Sequence, residues 1–81
     1  MDIRAKVGQR IRELRKELGL TQEAFSFKAE VDKTYINEVE NGKRNVSVIN
    51  LEKIINALEV SITDFFAHPA FAEKVKEGKH G

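Results

Sequence analysis

The feature that most constrains this chain is the punctuation between Thr21 and Arg44, TQEAFSFKAEVDKTYINEVENGKR. Capping residues divide it into two short helices joined by a tight turn. Thr21 is an N-cap for Gln22 to about Ala29, and Asp32 is an N-cap for Lys33 to Glu40. Asn41-Gly42 ends the second helix with a pair that tolerates left-handed backbone. Phe25 and Ala29 give the first helix an inward face, and Ile36 and Val39 give one to the second. Lys33, Thr34 and Asn37 then lie together on the side facing away from the core. Two irregularities stand out. Ala24 occupies the position where a reciprocal capping carboxylate would be, and Glu30 opens the turn. Left-handed backbone at Glu30 would cost on the order of 1 kcal/mol.

The flanking segments read as further helices. Asp2 caps the first, which ends at Gly19, and Val7, Ile11, Leu14 and Leu18 recur on one face of it. Arg4, Lys6, Arg10, Arg12, Arg15 and Lys16 lie opposite, with Asp2, Glu13 and Glu17. That face is either solvated and locally paired or within reach of phosphates. Ser47 caps a fourth helix with a stripe of Leu51, Ile54, Ile55 and Leu58. Ser61 caps a short fifth, where Phe65 and Phe66 close the core. Pro69 after His68, followed by Ala70, Phe71, Ala72 and Val75, predicts a short last helix, with fraying over Lys76 to Gly81. No segment alternates as a strand would. The expected architecture is all-α, a compact five-helix bundle with a short C-terminal helix. Residues 1–67 form the domain and residues 68–81 an extension and tail.

Composition narrows the function. Eighty-one residues suit one domain, and the absence of cysteine excludes disulfides and thiolate metal sites. No apolar run approaches a membrane span and no leader opens the chain, so a cytoplasmic location with no membrane association is expected. His68 and His80 stand without a carboxylate-and-histidine cluster at ligand spacing. No glycine-rich phosphate loop or nucleophile elbow is present. Ser26, Ser47 and Ser61 are explained by helix approach and capping. The expectation is therefore no enzyme, no metal and no cofactor. The net charge of +1 is too small to indicate nucleic-acid binding by itself.

The stretch nevertheless resembles the helix-turn-helix of the phage-repressor-like (xenobiotic-response-element type, lambda-repressor-like) transcription regulators. The resemblance rests on Thr21-Gln22, small Ser26, Val31 in the turn, Ile36, Val39 and Glu40-Asn41-Gly42. It runs from about Val7 to Phe66. Asp32-Lys33-Thr34-Tyr35-Ile36 and Arg44-Asn45 look most like the controller proteins of restriction–modification systems, which are single-domain dimers. The family's usual turn glycine is replaced by Glu30.

The resemblance implies that the second helix of the pair enters the major groove of a double-stranded operator. Lys33 would donate to guanine O6 and N7, Asn37 would pair with adenine N6 and N7, and Thr34 would meet a thymine methyl or a phosphate. Gln22 at a helix N-terminus would clamp a phosphate. Tyr35, Lys43, Arg44 and Asn45 would add backbone contacts, with Arg44 alternatively reaching a base or the minor groove and Lys28 a lesser candidate. Glu38 should repel phosphate unless it accepts from a cytosine or pairs with a nearby cation. From Thr21 to Arg44, four cations face five acids, so one copy should bind modestly. A homodimer on a palindromic operator would remedy this. Val46, Val48, Ile49 and Ile62 are the interface candidates, with burial inside one chain as the alternative. No small-molecule ligand is expected. The rival reading is a protein-interaction module, such as an antitoxin or anti-repressor, drawing on Glu30, Glu38, Glu40, exposed Phe27 and the apolar tail.

Overall fold

Each helix begins where a side-chain oxygen accepts an otherwise unpaired backbone N–H. The structure, a computed structural model, describes residues 2–72. Asp2 accepts from Arg4 N at 2.6 Å and opens α1, Ile3–Glu17. Thr21 accepts from Ala24 N at 3.0 Å and opens α2, Gln22–Ala29. Asp32 accepts from Thr34 N at 2.9 Å and opens α3, Lys33–Glu40. Ser47 does the same for α4, Val48–Ala57, and Ser61 for α5, Ile62–Phe66. All five expected caps are in use. The Arg4 side chain also bonds to Asp2, which holds that carboxyl below its ordinary range.

The helix ends are equally local. Gly19 and Gly42 adopt φ of +73° and +74°, allowing Leu20 N–H to reach Arg15 O and Lys43 N–H to reach Glu38 O. Glu30 is left-handed, φ 59°, as the turn requires. Glu59 is left-handed as well, φ 64°, in the turn between α4 and α5.

These turns fold the helices around a core of Ile11, Phe25, Ile36, Val39, Ile54, Ile55, Leu58 and Phe65. Leu51 and Val31 pack at its margin. Arg10 pins α1 to α5 by donating to Phe65 O at 2.7 Å and Asp64 O at 2.9 Å. The tightest approach is at Gly8, where a Cβ would stand 2.3 Å from Val39 O and 2.8 Å from Glu40 O. Backbone lies against backbone there, so α1 and α3 can meet only across a glycine. No strand occurs among the described residues, and no helix there is long and apolar enough to cross a membrane.

Three expectations need correction. Leu18, expected in the core stripe of α1, caps the helix and is exposed. Its inward place is taken by Arg15, expected on the opposite face and instead buried. The chain leaves α1 through Gly19 directly after Leu18, so that side chain has no facing helix to pack on. The expected last helix is, within the described residues, a 3-10 turn over Pro69–Phe71 opened by His68. Phe71 packs its ring on Phe66 at 4.9 Å. Val75, His80 and the tail from Lys76 lie outside the described residues.

Two substitutions test this packing. Gly8→Ala should destabilise the fold by about 3 kcal/mol, because neither carbonyl can withdraw without separating α1 from α3. Glu30→Gly should stabilise it, by on the order of 0.5–1 kcal/mol, as the relief of left-handed strain exceeds the added chain entropy. Urea unfolding midpoints measure both.

Candidate nucleic-acid interface

The polar face of α3 is built by what its other face buries. Ile36 and Val39 point into the core, which leaves Lys33, Thr34 and Asn37 exposed together, one turn apart along the helix. The Lys33 and Lys43 side chains enter no ion pair among the described residues. The N-terminus of α2 adjoins this face, with half-buried Gln22 at its first position hydrogen-bonded to Asn37.

Beneath the face lies a polar network that the sequence reading missed. Arg15 Nε donates to Glu40 Oε2 at 2.7 Å, and Nη2 donates to Oε1 at 3.0 Å. The side chains are 9% and 2% exposed. Arg15 Nη1 also donates to Leu20 O at 2.7 Å. Gln22 Nε2 donates to Glu40 Oε1 at 3.1 Å, and Gln22 Oε1 accepts from Asn37 Nδ2 at 3.2 Å. Asn41 Nδ2 donates to Asn37 O at 2.8 Å. A readable signal existed: Glu40 lies four residues after core Ile36, and Arg15 four after core Ile11, so each shares a buried helical face. Opposite charges on two facing apolar stripes point to a buried pair.

The remaining candidates divide by environment. Tyr35 is half-buried, its hydroxyl accepting from Asn50 Nδ2 at 3.3 Å. The Arg44 guanidinium lies over its ring at 4.9 Å, and Arg44 Nε pairs with Glu38 Oε1 at 3.3 Å. Glu38 thus has the nearby cation it needed. Lys43 and Asn45 are exposed in the loop before α4. Lys28 pairs with Glu59, away from α3.

The balance of charge is unchanged by these pairs. Arg15 and Glu59, both outside Thr21–Arg44, neutralise Glu40 and Lys28, so the stretch presents three cations against four acids in place of four against five. Two of the three acids cited for a protein-interaction module, Glu38 and Glu40, are already paired internally. Glu30, and Phe27 at 76% exposed, still favour that rival.

The four interface candidates separate as well. Val46 is half-buried against its own core. Val48, Ile49 and Ile62 are 83%, 73% and 54% exposed. They rim a groove of about 230 Å³ floored by Leu51, Ile55 and Phe66. Three large apolar side chains around one groove are more than scattered surface residues would give. Among the described residues no group of three His, Asp or Glu side chains could hold a metal ion.

Comparison with known proteins follows the same geometry. The helix-turn-helix family profile matches residues 11–65. The chain is similar to the control protein C.MunI of Mycoplasma sp, with 43% identity over 67 residues, 82% of this chain and 90% of that protein. It is similar to the restriction-modification controller protein C.AhdI from Aeromonas hydrophila, with a TM-score of 0.74 and 43% identity over 78% of this chain and 91% of that one. It is similar to the controller protein C.Esp1396I, solved as a tetramer with its natural 35-base-pair operator, with a TM-score of 0.77 and 39% identity over 82% of this chain and 87% of that one.

Removing one member of the buried pair leaves the other uncompensated. Glu40→Ala should cost about 3–5 kcal/mol. Replacing Arg15 and Glu40 together by methionine should cost much less, because no lone charge is left behind. Thermal unfolding of the single and double variants checks the difference.

Proposed function

We propose that this chain, which belongs to the helix-turn-helix family of transcription regulators and stands within it among the restriction–modification controller proteins, binds a palindromic operator as a homodimer. The observation that carries this reading is the likeness, over 82% of the chain, to a controller protein solved on its operator DNA. The solvated polar face of α3 supports it independently. Its eight residues span about 12 Å, which suits a major groove about 12 Å wide.

In this reading Lys33 donates to guanine O6 and N7, Asn37 meets an adenine edge, and Thr34 touches a thymine methyl or a phosphate. Gln22 uses its remaining amide proton on a phosphate. Lys43, Arg44 and Asn45 grip the backbone beside it, while Tyr35 supports Arg44 from below. Arg44 must exchange Glu38 for phosphate as it binds, so part of its attraction is offset by a contact already made. With acids outnumbering cations around the site, one copy gains little from counterion release. A second copy doubles the phosphate contacts without changing the charge density of either. Val48, Ile49 and Ile62 are the surface assigned to that copy, with Val46 at its inner margin. The same reading makes the protein a cytoplasmic, non-catalytic regulator.

Lys33→Ala should lower affinity for the selected operator by about 1–3 kcal/mol while leaving non-specific binding nearly unchanged. Ile49→Asp should shift the protein toward monomer and weaken operator binding in parallel. Mobility shift across salt concentrations, paired with sedimentation, reads both effects. A folded dimer that binds no duplex even at low salt would return the protein to the interaction-module reading.

A further inference from the structure

We infer that the buried Arg15–Glu40 pair dictates, through Gln22, which way the Asn37 amide faces the groove, making Glu40 and Gln22 positioning residues for base choice. This rests on the reading above that Asn37 meets a base edge.

The direction is imposed from the inside outward. A carboxylate accepts hydrogen bonds and donates none. Both Glu40 oxygens are held by Arg15, and Oε1 additionally accepts from Gln22 Nε2 at 3.1 Å. A Gln22 amide turned the other way would set its own oxygen against that carboxylate oxygen. Two acceptors face to face in a partly buried site leave both unsatisfied. Nε2 therefore faces inward and Oε1 outward. The outward oxygen can only accept, and Asn37 Nδ2 donates to it at 3.2 Å. Asn37 thereby inherits its polarity from a charge that solvent does not reach. On its other side Asn37 Oδ1 faces Asn41 Nδ2 at 3.4 Å.

What remains on Asn37 is one N–H and one acceptor position, out of the two of each that an amide carries. Adenine presents the complementary set in the major groove, N6 donating and N7 accepting. An Asn37 amide turned over would place a donor against N6 and an acceptor against N7. The relay thus decides between a matched and a mismatched edge, and Arg15 and Glu40 do so without approaching DNA. Gln22 keeps one Nε2 proton, so positioning Asn37 does not forbid a phosphate contact.

The test is selection of bound sites from a randomised duplex pool by the wild-type protein, Asn37→Ala, Lys33→Ala and Glu40→Gln. Asn37→Ala marks the base pair whose preference depends on Asn37. In Glu40→Gln the new amide can donate or accept, so Gln22 is free to turn. Preference at the marked pair should fall about tenfold, while preferences erased by Lys33→Ala persist. A folded Glu40→Gln with unchanged preference at the marked pair overturns the proposal, as does an Asn37→Ala protein that loses no preference. A wild-type protein that selects no duplex overturns the DNA reading itself, which is a separate result. Should Glu40→Gln not fold, the paired Arg15→Met and Glu40→Met protein takes its place and should show the same selective loss. The wild-type protein free of DNA supplies a further check by NMR. A Gln22 side-chain amide proton should exchange with solvent at least about tenfold more slowly than those of exposed Asn45. Equal rates would overturn the relay.

Discussion

A guanidinium and a carboxylate taken out of water are costly unless each is fully satisfied by the other and its neighbours. Arg15 and Glu40 meet that condition, with two parallel bonds between them and a third from Arg15 to the Leu20 carbonyl. The pair joins the last turn of α1 to the last turn of α3, beside the start of α2. Gly8, one helical stretch earlier, brings the same two helices into backbone contact. An apolar pair at these positions would hold the helices together about as well. It would not supply an acceptor for Gln22, and the exposed Gln22 and Asn37 amides would lose their common orientation.

The rest of the polar face of α3 follows from that arrangement. α3 is eight residues long and cannot be placed by its own stability. It is placed by Ile36 and Val39 in the core, by Gly8 behind it, and by a left-handed Glu30 that sets the turn from α2. Each of these acts on the buried side, and the solvated side inherits its geometry. Arg44 is the contrast. Among the described residues it is held by Glu38 and by the face of the half-buried Tyr35 ring, and such partly exposed contacts yield readily to a competing anion. In the proposed function the site would combine a base-reading face fixed from within and a backbone grip that can rearrange.

Much of this was legible in the residues. Asp2, Thr21, Asp32, Ser47 and Ser61 cap as their types predict, because capping is a contact between neighbours in sequence and needs no tertiary context. The apolar spacing identified Ile11, Phe25, Ile36 and Ile54 as core for the same local reason. The exposed position of Lys33, Thr34 and Asn37 followed from that spacing. Leu18 and Arg15 were exchanged because periodicity assigns a face but cannot say where a facing helix ends. Val46 and Ile49 looked alike in sequence, yet the loop folds Val46 against its own core and leaves Ile49 in solvent.

The amino-acid sequence by itself determined the helices, their caps, the turn between α2 and α3, and which residues of α3 face away from the core. Those properties depend on interactions spanning about four residues or fewer, so they are written in the order of the chain. The spacing of Arg15 from Ile11 and of Glu40 from Ile36 placed each on a buried face, but tertiary structure decided that Glu40 neutralises Arg15 and that Gln22 and Asn37 are tied to that charge. These groups are separated by 25, 18 and 15 positions along the chain. Their pairing exists only because α1 and α3 close across Gly8, an approach that no local pattern of residues specifies.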